Sequence, residues 1–318
     1  MKLFRTRAGD PVFSFLTGSF ALVIVLVVAG IGVILWHESS LSIRAFGFNF
    51  LRTTTWDPVA GDLGALTYIW GTLYSSILAL LIAGPIAIGI AIFLTDQCPA
   101  WLRQPLVFIT ELLASIPSIV YGLWGIFVLV PYVRQFESAM PDWLRAWPIF
   151  SGPAMGVGML AAALVLAIMV VPFTSSMTRE VLQAVPGTQR EGALALGATR
   201  WEATKVALHY ARTGIIGAVM LGFGRALGET MAVMMVMGNT PKISLSMFAP
   251  QYTMASVINA EFTEATEPLH ISALAEIGLV LFGITLLINM ASRMLIWRMA
   301  RQRSRPTVTA VVPAEASA

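Results

Sequence analysis

Cysteine is nearly missing from this chain. Cys98 stands alone among 318 residues, which excludes an internal disulfide and any multi-cysteine metal site. Charge is scarce as well: Asp, Glu, Lys and Arg make up 12% of the residues, about half the share of a soluble domain. The three histidines, His37, His209 and His270, lie far apart, so no His/Glu metal spacing is present. A G-x-x-x-x-G-K-[ST] loop is absent, which excludes ATP binding in the P-loop manner, and so is a G-x-S-x-G nucleophile turn. An intramembrane enzyme is not expected. A net charge of +3 gives no reason to expect nucleic acid as a partner.

Apolar sequence fills the space instead. Hydrophobic residues make 57% of the chain and the mean hydropathy is +0.78. Crossing a ~30 Å hydrocarbon core takes about 20 helical residues, and several runs are that long. The reading is an all-α polytopic membrane protein with about six transmembrane helices. They are expected near 12–35, 66–94, 105–130, 153–173, 213–238 and 271–296. The first run follows Lys2, Arg5 and Arg7 but is too long for a signal-peptide core, so it is read as a retained helix. Gly84-Pro85 is expected to kink the second helix, and Ser115-Ile-Pro-Ser118 to break the third. The domain reading is a first helix and outer loop over 1–65, then a permease-like core over 66–298. A disordered tail follows over 299–318.

Six spans place both termini on one side. With the termini inside, fourteen Lys and Arg residues fall on inner segments and five (Arg44, Arg52, Arg134, Arg145, Lys242) on outer ones. The positive-inside rule therefore puts the termini and residues 178–212 in the cytoplasm.

Four ionisable residues fall inside the expected spans: Glu111, Arg225, Glu229 and Glu276. A charge near the bilayer centre costs at least ~2.5–3.5 kcal/mol, so such residues face protein or water and mark a substrate pathway. Arg225 and Glu229 lie deepest and, on a continuous helix, share one face at i,i+4. The planar fork of an arginine suits an oxyanion. The bland alternative is a self-neutralising pair, with Glu111 and Glu276 snorkelling or capping. Gly224 and Gly228 form a GxxxG pattern read as a close helix contact.

Residues 178–212 are too polar for lipid and too apolar for a free loop. Two short helices broken at Pro186-Gly187 are expected, with Thr188 and Glu191 as a capping box. Ala193, Leu194, Leu196 and Trp201 want a surface to sit on.

At Glu191-Gly-Ala-Leu-Ala-Leu-Gly197 the chain resembles the EAA loop of ABC importer permeases. Glu191, Ala193 and Gly197 match, Gly192 replaces the usual first alanine, and the customary I-x-L-P ending is poorly kept at Val206-Ala-Leu-His209. The stretches from Glu111 to Gly125, Gly224 to Ala232 and Ser272 to Phe282 are similar to the phosphate-specific permeases of that family. First-helix length and Gly238-Asn-Thr240 are similar to one of their two subunit types in particular. The resemblance implies a type I importer permease in the bacterial inner membrane, with a cytoplasmic coupling helix carrying Glu191, Ala193, Gly197 and Trp201. Its implied partners are a second permease subunit, a cytoplasmic ATPase dimer holding ATP–Mg, a periplasmic phosphate-binding protein and membrane lipid. No cofactor is expected in the chain itself. The implied function is ATP-driven import of inorganic phosphate. The alternatives are a permease for another oxyanion, molybdate or sulfate, and a stand-alone secondary transporter, which would have no need of a coupling segment.

The topology is open to a cysteine-accessibility scan on a Cys98-free background. Position 200 should react with an impermeant reagent only from the cytoplasmic side, and labelling from outside would overturn the orientation.

Overall fold

A computed structural model describes residues 9–303 of the chain, and most of them are helical. Helix α1 (Gly9–Glu38) is the first span, and none of its apolar window is buried within the chain. A tight corner follows, made of α2 (Ser40–Phe46), a 3-10 turn and the short antiparallel pair β1 (Trp56–Asp57) and β2 (Asp62–Leu63). The Asp57 carboxylate closes that hairpin by accepting from the Val59 and Ala60 amides, both at 3.0 Å.

The second span is α3 (Leu66–Ile92), which runs unbroken through Pro85 and ends in a π-helical turn over Phe93–Gln97. The third span differs from its expected limits. Pro117 holds Ile116 extended at φ −63°, ψ 130°, because a residue before proline is driven out of the helical region. The chain therefore splits into α4 (Ala100–Ser115) and a separate span over Ser118–Ala139. That span is built from α5 (Ser118–Trp124), a π-helical turn and α6 (Val130–Ala139). Helix α7 (Asp142–Arg145) is a single turn beyond it.

The fourth span, α8 (Met159–Gln183), starts later than expected and runs further. Its approach is fixed by Glu137, a buried carboxylate on α6 that accepts from the Gly156 amide at 2.7 Å. Gly156 has φ +74°, and a side chain there would run into the Val130 carbonyl oxygen. Residues 153–158 are consequently loop. After α9 (Gly187–Ala195) comes α10 (Arg200–Leu227), then α11 (Met231–Val236), α12 (Met254–Glu261) and α13 (Pro268–Arg303). The last helix continues past the expected 298 boundary. Residues 304–318 of the expected tail, and the basic residues Lys2, Arg5 and Arg7, lie outside the described residues.

Helices α3 and α8 form the centre. Ala79, Ala83, Ala87 and Ala91 recur every four residues along α3 and are fully buried, and Ala161, Ala162 and Ala163 are buried on α8. Small residues let membrane helices approach closely, where dispersion and not water drives association. Helix α10 joins them through Gly214, where a Cβ would press on Val181, and Gly222, where it would strike the Thr174 hydroxyl. These glycines make the close approach expected of Gly224 and Gly228: a Cβ at Gly224 would come no nearer than 3.9 Å to Asn289, and one at Gly228 would meet only the Gly224 carbonyl, at 3.9 Å.

A second core closes the end of the bundle opposite α9, where Tyr68, Tyr252, Met254, Leu274 and Ile277 pack together. Trp56 Nε1 donates to Glu261 at 2.9 Å, and His270 Nε2 lies 3.0 Å from the same oxygen. Burial, reinforced by Glu261 and Glu264, pushes the Tyr252 phenol up to about 12, so it stays neutral. Gly71 meets this core with no space to spare, since a Cβ would overlap the Tyr252 carbonyl oxygen. Gly71→Ala should therefore lower stability by about 1–3 kcal/mol, the usual range for overpacking. Gly89→Ala, with nothing within 4 Å, should be neutral or gain up to ~1 kcal/mol. Thermal unfolding in detergent compares them, and equal melting temperatures would contradict the close contact.

Candidate functional site

The fifth span is where the sequence and the fold part company. The apolar run from 213 to 238 reads as one helix, but α10 stops at Leu227. Gly228 is a poor helix former, and the chain leaves the helix there at φ −91°, ψ 1°. Glu229 lies beyond the break. Its Oε1 accepts from the Ala232 amide at 3.4 Å, at the start of α11, where a carboxylate suits free N–H groups. Arg225 is in the last turn of α10. The two are thus not neighbours on one helix face, and among the described residues no ion pair joins them.

Arg225 is exposed on the surface of this chain, with its guanidinium 5.8 Å from the Phe173 ring centroid on α8. That is a cation–π contact. At 1.5 Å per residue, Arg225 lies about 20 Å along α10 from Arg212, some two-thirds of a ~30 Å core.

Side chains and neighbouring helices take up several of the backbone groups near this point, as hydrocarbon requires. The Thr230 carbonyl accepts from Ser256 Oγ at 3.3 Å. Thr253 caps α12 by accepting from the Ser256 amide at 3.2 Å, and the Met254 amide donates to Thr72 Oγ1 at 2.9 Å. Across from α11, the α4–α5 break is stitched by Tyr121, whose hydroxyl donates to the Leu113 carbonyl at 2.7 Å. Helices α5 and α11 lie against each other at Gly122 and Gly125, which face Ala232, Met235 and Val236. The α4–α5 break and the α10–α11 break are therefore joined through the packing of α5 on α11.

The other charged candidates lie elsewhere. Glu111 is on α4, outside the third span, half-exposed and paired with Arg179 of α8 at 3.2 Å. Glu276 is buried on α13 within the far core, close to Ser272 and Ser42, and does not reach Arg225. Only Arg225 and Glu229 remain at the break.

The segment that carries Glu191 and Gly197 folds as a helix–turn–helix. Helix α9 ends in a Schellman turn: Ala198 N–H donates to Ala193 O at 3.1 Å, and Gly197 N–H to Leu194 O at 3.0 Å. Gly197 has φ +85°, the left-handed conformation that favours glycine. Thr199 then opens α10 with a complete capping box to Glu202. This is not the box expected at Thr188 and Glu191. Pro186 is the residue that enters α9, so Thr188 already lies inside its first turn. Glu191 and Gly197 are exposed and Ala193 half-buried. Leu196 is 91% and Trp201 51% exposed, with Lys205 Nζ 5.6 Å from the Trp201 ring centroid. An apolar knob of this kind is built to meet another surface.

Residues 87–301 match the family model described as binding-protein-dependent transport system inner membrane component. The chain belongs to that family. The chain is 44% identical to the phosphate transport system permease protein PstC of Mesorhizobium japonicum over 300 residues, 92% of each chain. With PstC of Haemophilus influenzae the identity is 44% over 310 residues, 96% of this chain and 98% of the relative. The probable PstC of Methanocaldococcus jannaschii is 40% identical over 78% of this chain and 81% of its own. Among solved structures, an inward-facing MetNI methionine ABC transporter superposes with a TM-score of 0.55 at 18% identity. It covers 73% of this chain and 94% of its own. A bacterial ABC transporter that imports the acidic polysaccharide alginate gives 0.56 at 14% identity, over 91% and 99%. At such identities these two speak for the fold alone.

Proposed function

We propose that the chain is the PstC-type permease subunit of an ATP-driven importer that carries inorganic phosphate into the cytoplasm. The observation that carries this reading is Arg225, a cation exposed on the chain deep in the membrane, beside the break between α10 and α11. A guanidinium facing hydrocarbon is costly. Its surface is therefore covered by a second, sister permease, with the phosphate pathway between the two. The guanidinium offers a paired set of donors that fits a phosphate oxyanion. Glu229 sets the geometry of the break and keeps a negative charge beside the anion's path, so that phosphate is not held too tightly to leave.

The remaining assignments follow the family. Helix α9 and Trp201 receive a cytoplasmic ATPase dimer, which supplies ATP–Mg chemistry that this chain has no motif to perform. The end of the bundle opposite α9 receives a periplasmic phosphate-binding protein. The basic asymmetry supports a place in the bacterial inner membrane with both termini and α9 on the cytoplasmic side. A stand-alone secondary transporter would leave the exposed α9 surface without a use.

Arg225→Ala should abolish uptake of labelled phosphate while the subunit still assembles. Arg225→Lys should fall by about tenfold or more, because the lost charge-assisted bond is worth about 1.5–3 kcal/mol. Wild-type uptake by Arg225→Ala would remove the residue from the pathway. Equal uptake of sulfate or molybdate by the wild type would reassign the substrate to another oxyanion.

A further inference from the structure

Beneath α9 one carboxylate ties three helices together. Asp96 lies in the π-helical turn that ends the second span, in which the backbone takes five residues at i→i+5 spacing. Its Oδ1 pairs with Arg190 of α9 at 3.1 Å, and its Oδ2 accepts from Thr204 Oγ1 of α10 at 2.8 Å. The same Arg190 nitrogen also donates to the Leu182 carbonyl, in the last turn of α8, at 3.4 Å. The Asp96 and Arg190 side chains are only 15% and 25% exposed, so this is not a solvated surface pair. It borders a cleft of 620 Å³ between α9 and α10, and an apolar layer of Ala91, Leu182, Val185 and Ala207 lies close by.

The placement has a mechanical meaning. Exposed Leu196 and Trp201 stand at the far end of α9 and the start of α10, while Asp96 ties the near side of both to α3. Helix α10 then runs without interruption from Arg200 to Leu227. From Thr204 to Arg225 that rod is about 32 Å long at 1.5 Å per residue. A displacement given to α9 reaches Arg225 as a rigid movement only if α9 and α10 move together.

We propose that Asp96 is a positioning residue for transport. Its carboxylate clamps α9 to α3 and α10, so that movement imposed on α9 is delivered to Arg225 and not lost in the short loops around α9. The clamp rests on the reading of α9 as the ATPase-receiving segment. Once the clamp is broken, the ATPase docks and hydrolyses ATP, but phosphate does not follow.

The test uses the complete transporter with its binding protein in proteoliposomes. It reads ATPase co-purification, ATP hydrolysis and phosphate moved per ATP. Asp96→Asn is isosteric and uncharged. It should keep the ATPase bound and hydrolysing while phosphate per ATP falls about tenfold, within the usual 5–150-fold range of a coupling between sites. Arg190→Gln should do the same, and the double variant should be no worse than either single one, because all three break one link. Arg190→Lys keeps the charge and should recover most of the ratio. If Asp96→Asn is not recovered as a complex, Arg190→Gln decides by the same ratio. A wild-type ratio in an assembled single variant, or losses that multiply in the double one, would overturn the clamp. Leu196→Asp separates the premise: if it leaves ATPase co-purification intact, the reading of α9 fails, whatever the Asp96 variants do.

Discussion

Inside a membrane, every amide and carbonyl that a helix releases must find a partner within the protein. This chain breaks its helices at Ile116-Pro117, just before the third span, and at Gly228, at the end of the fifth, and its organisation depends on meeting that demand. Tyr121 takes the Leu113 carbonyl at one break, and Ser256 takes the Thr230 carbonyl near the other. Glu229 accepts the Ala232 amide that α11 would otherwise leave free. With these groups satisfied, an arginine can end a helix two-thirds of the way across the bilayer without a helical continuation to shield it. The hydroxyls, Gly122 and Gly125 and the capped α12 all serve to keep the backbone at those breaks paired.

The helix that carries Arg225 links the two working ends of the protein. Helix α10 begins at a capping box next to the Schellman turn of α9, so its start is set by two of the more rigid local motifs a chain can form. It packs on α8 through Gly214 and Gly222, whose missing side chains leave room for Val181, Val170 and Thr174. A rod held closely along its length and anchored at one end carries a displacement well. The membership of the chain among inner membrane components of binding-protein-dependent transport systems gives such a rod a use.

Much of this was legible in the amino-acid sequence. Uncharged length alone marked six spans, and Glu191, Ala193 and Gly197 marked a helical segment of special geometry, with Gly197 at the positive φ. The failures share one cause: local spacing was trusted where long-range contacts decide. The run through 228 stays apolar on both sides of the break, so hydropathy does not register it, and Arg225 and Glu229 were expected to share a helix face. Gly224 and Gly228 have the familiar spacing, but Gly214 and Gly222 face the neighbouring helix. Glu276 is as apolar in its sequence surroundings as a pathway residue would be, yet it points into the core of the far end. Asp96 lies just past the expected end of the second helix, and its partners Arg190 and Thr204 are each more than ninety positions away in the chain, so no local pattern marks it.

For phosphate to pass Arg225, the break beside it must face water that the anion also occupies. Gly228 has an ordinary φ and open space around its Cβ position, so a cysteine fits there on a Cys98→Ser background. In the assembled transporter during turnover, that thiol should react with small water-soluble thiosulfonates. It should react faster with anionic than with cationic reagents, and phosphate should slow it. A thiol that stays unreactive, or one that reacts at equal rates for both charges and ignores phosphate, would place the break away from the anion's path and contradict the account.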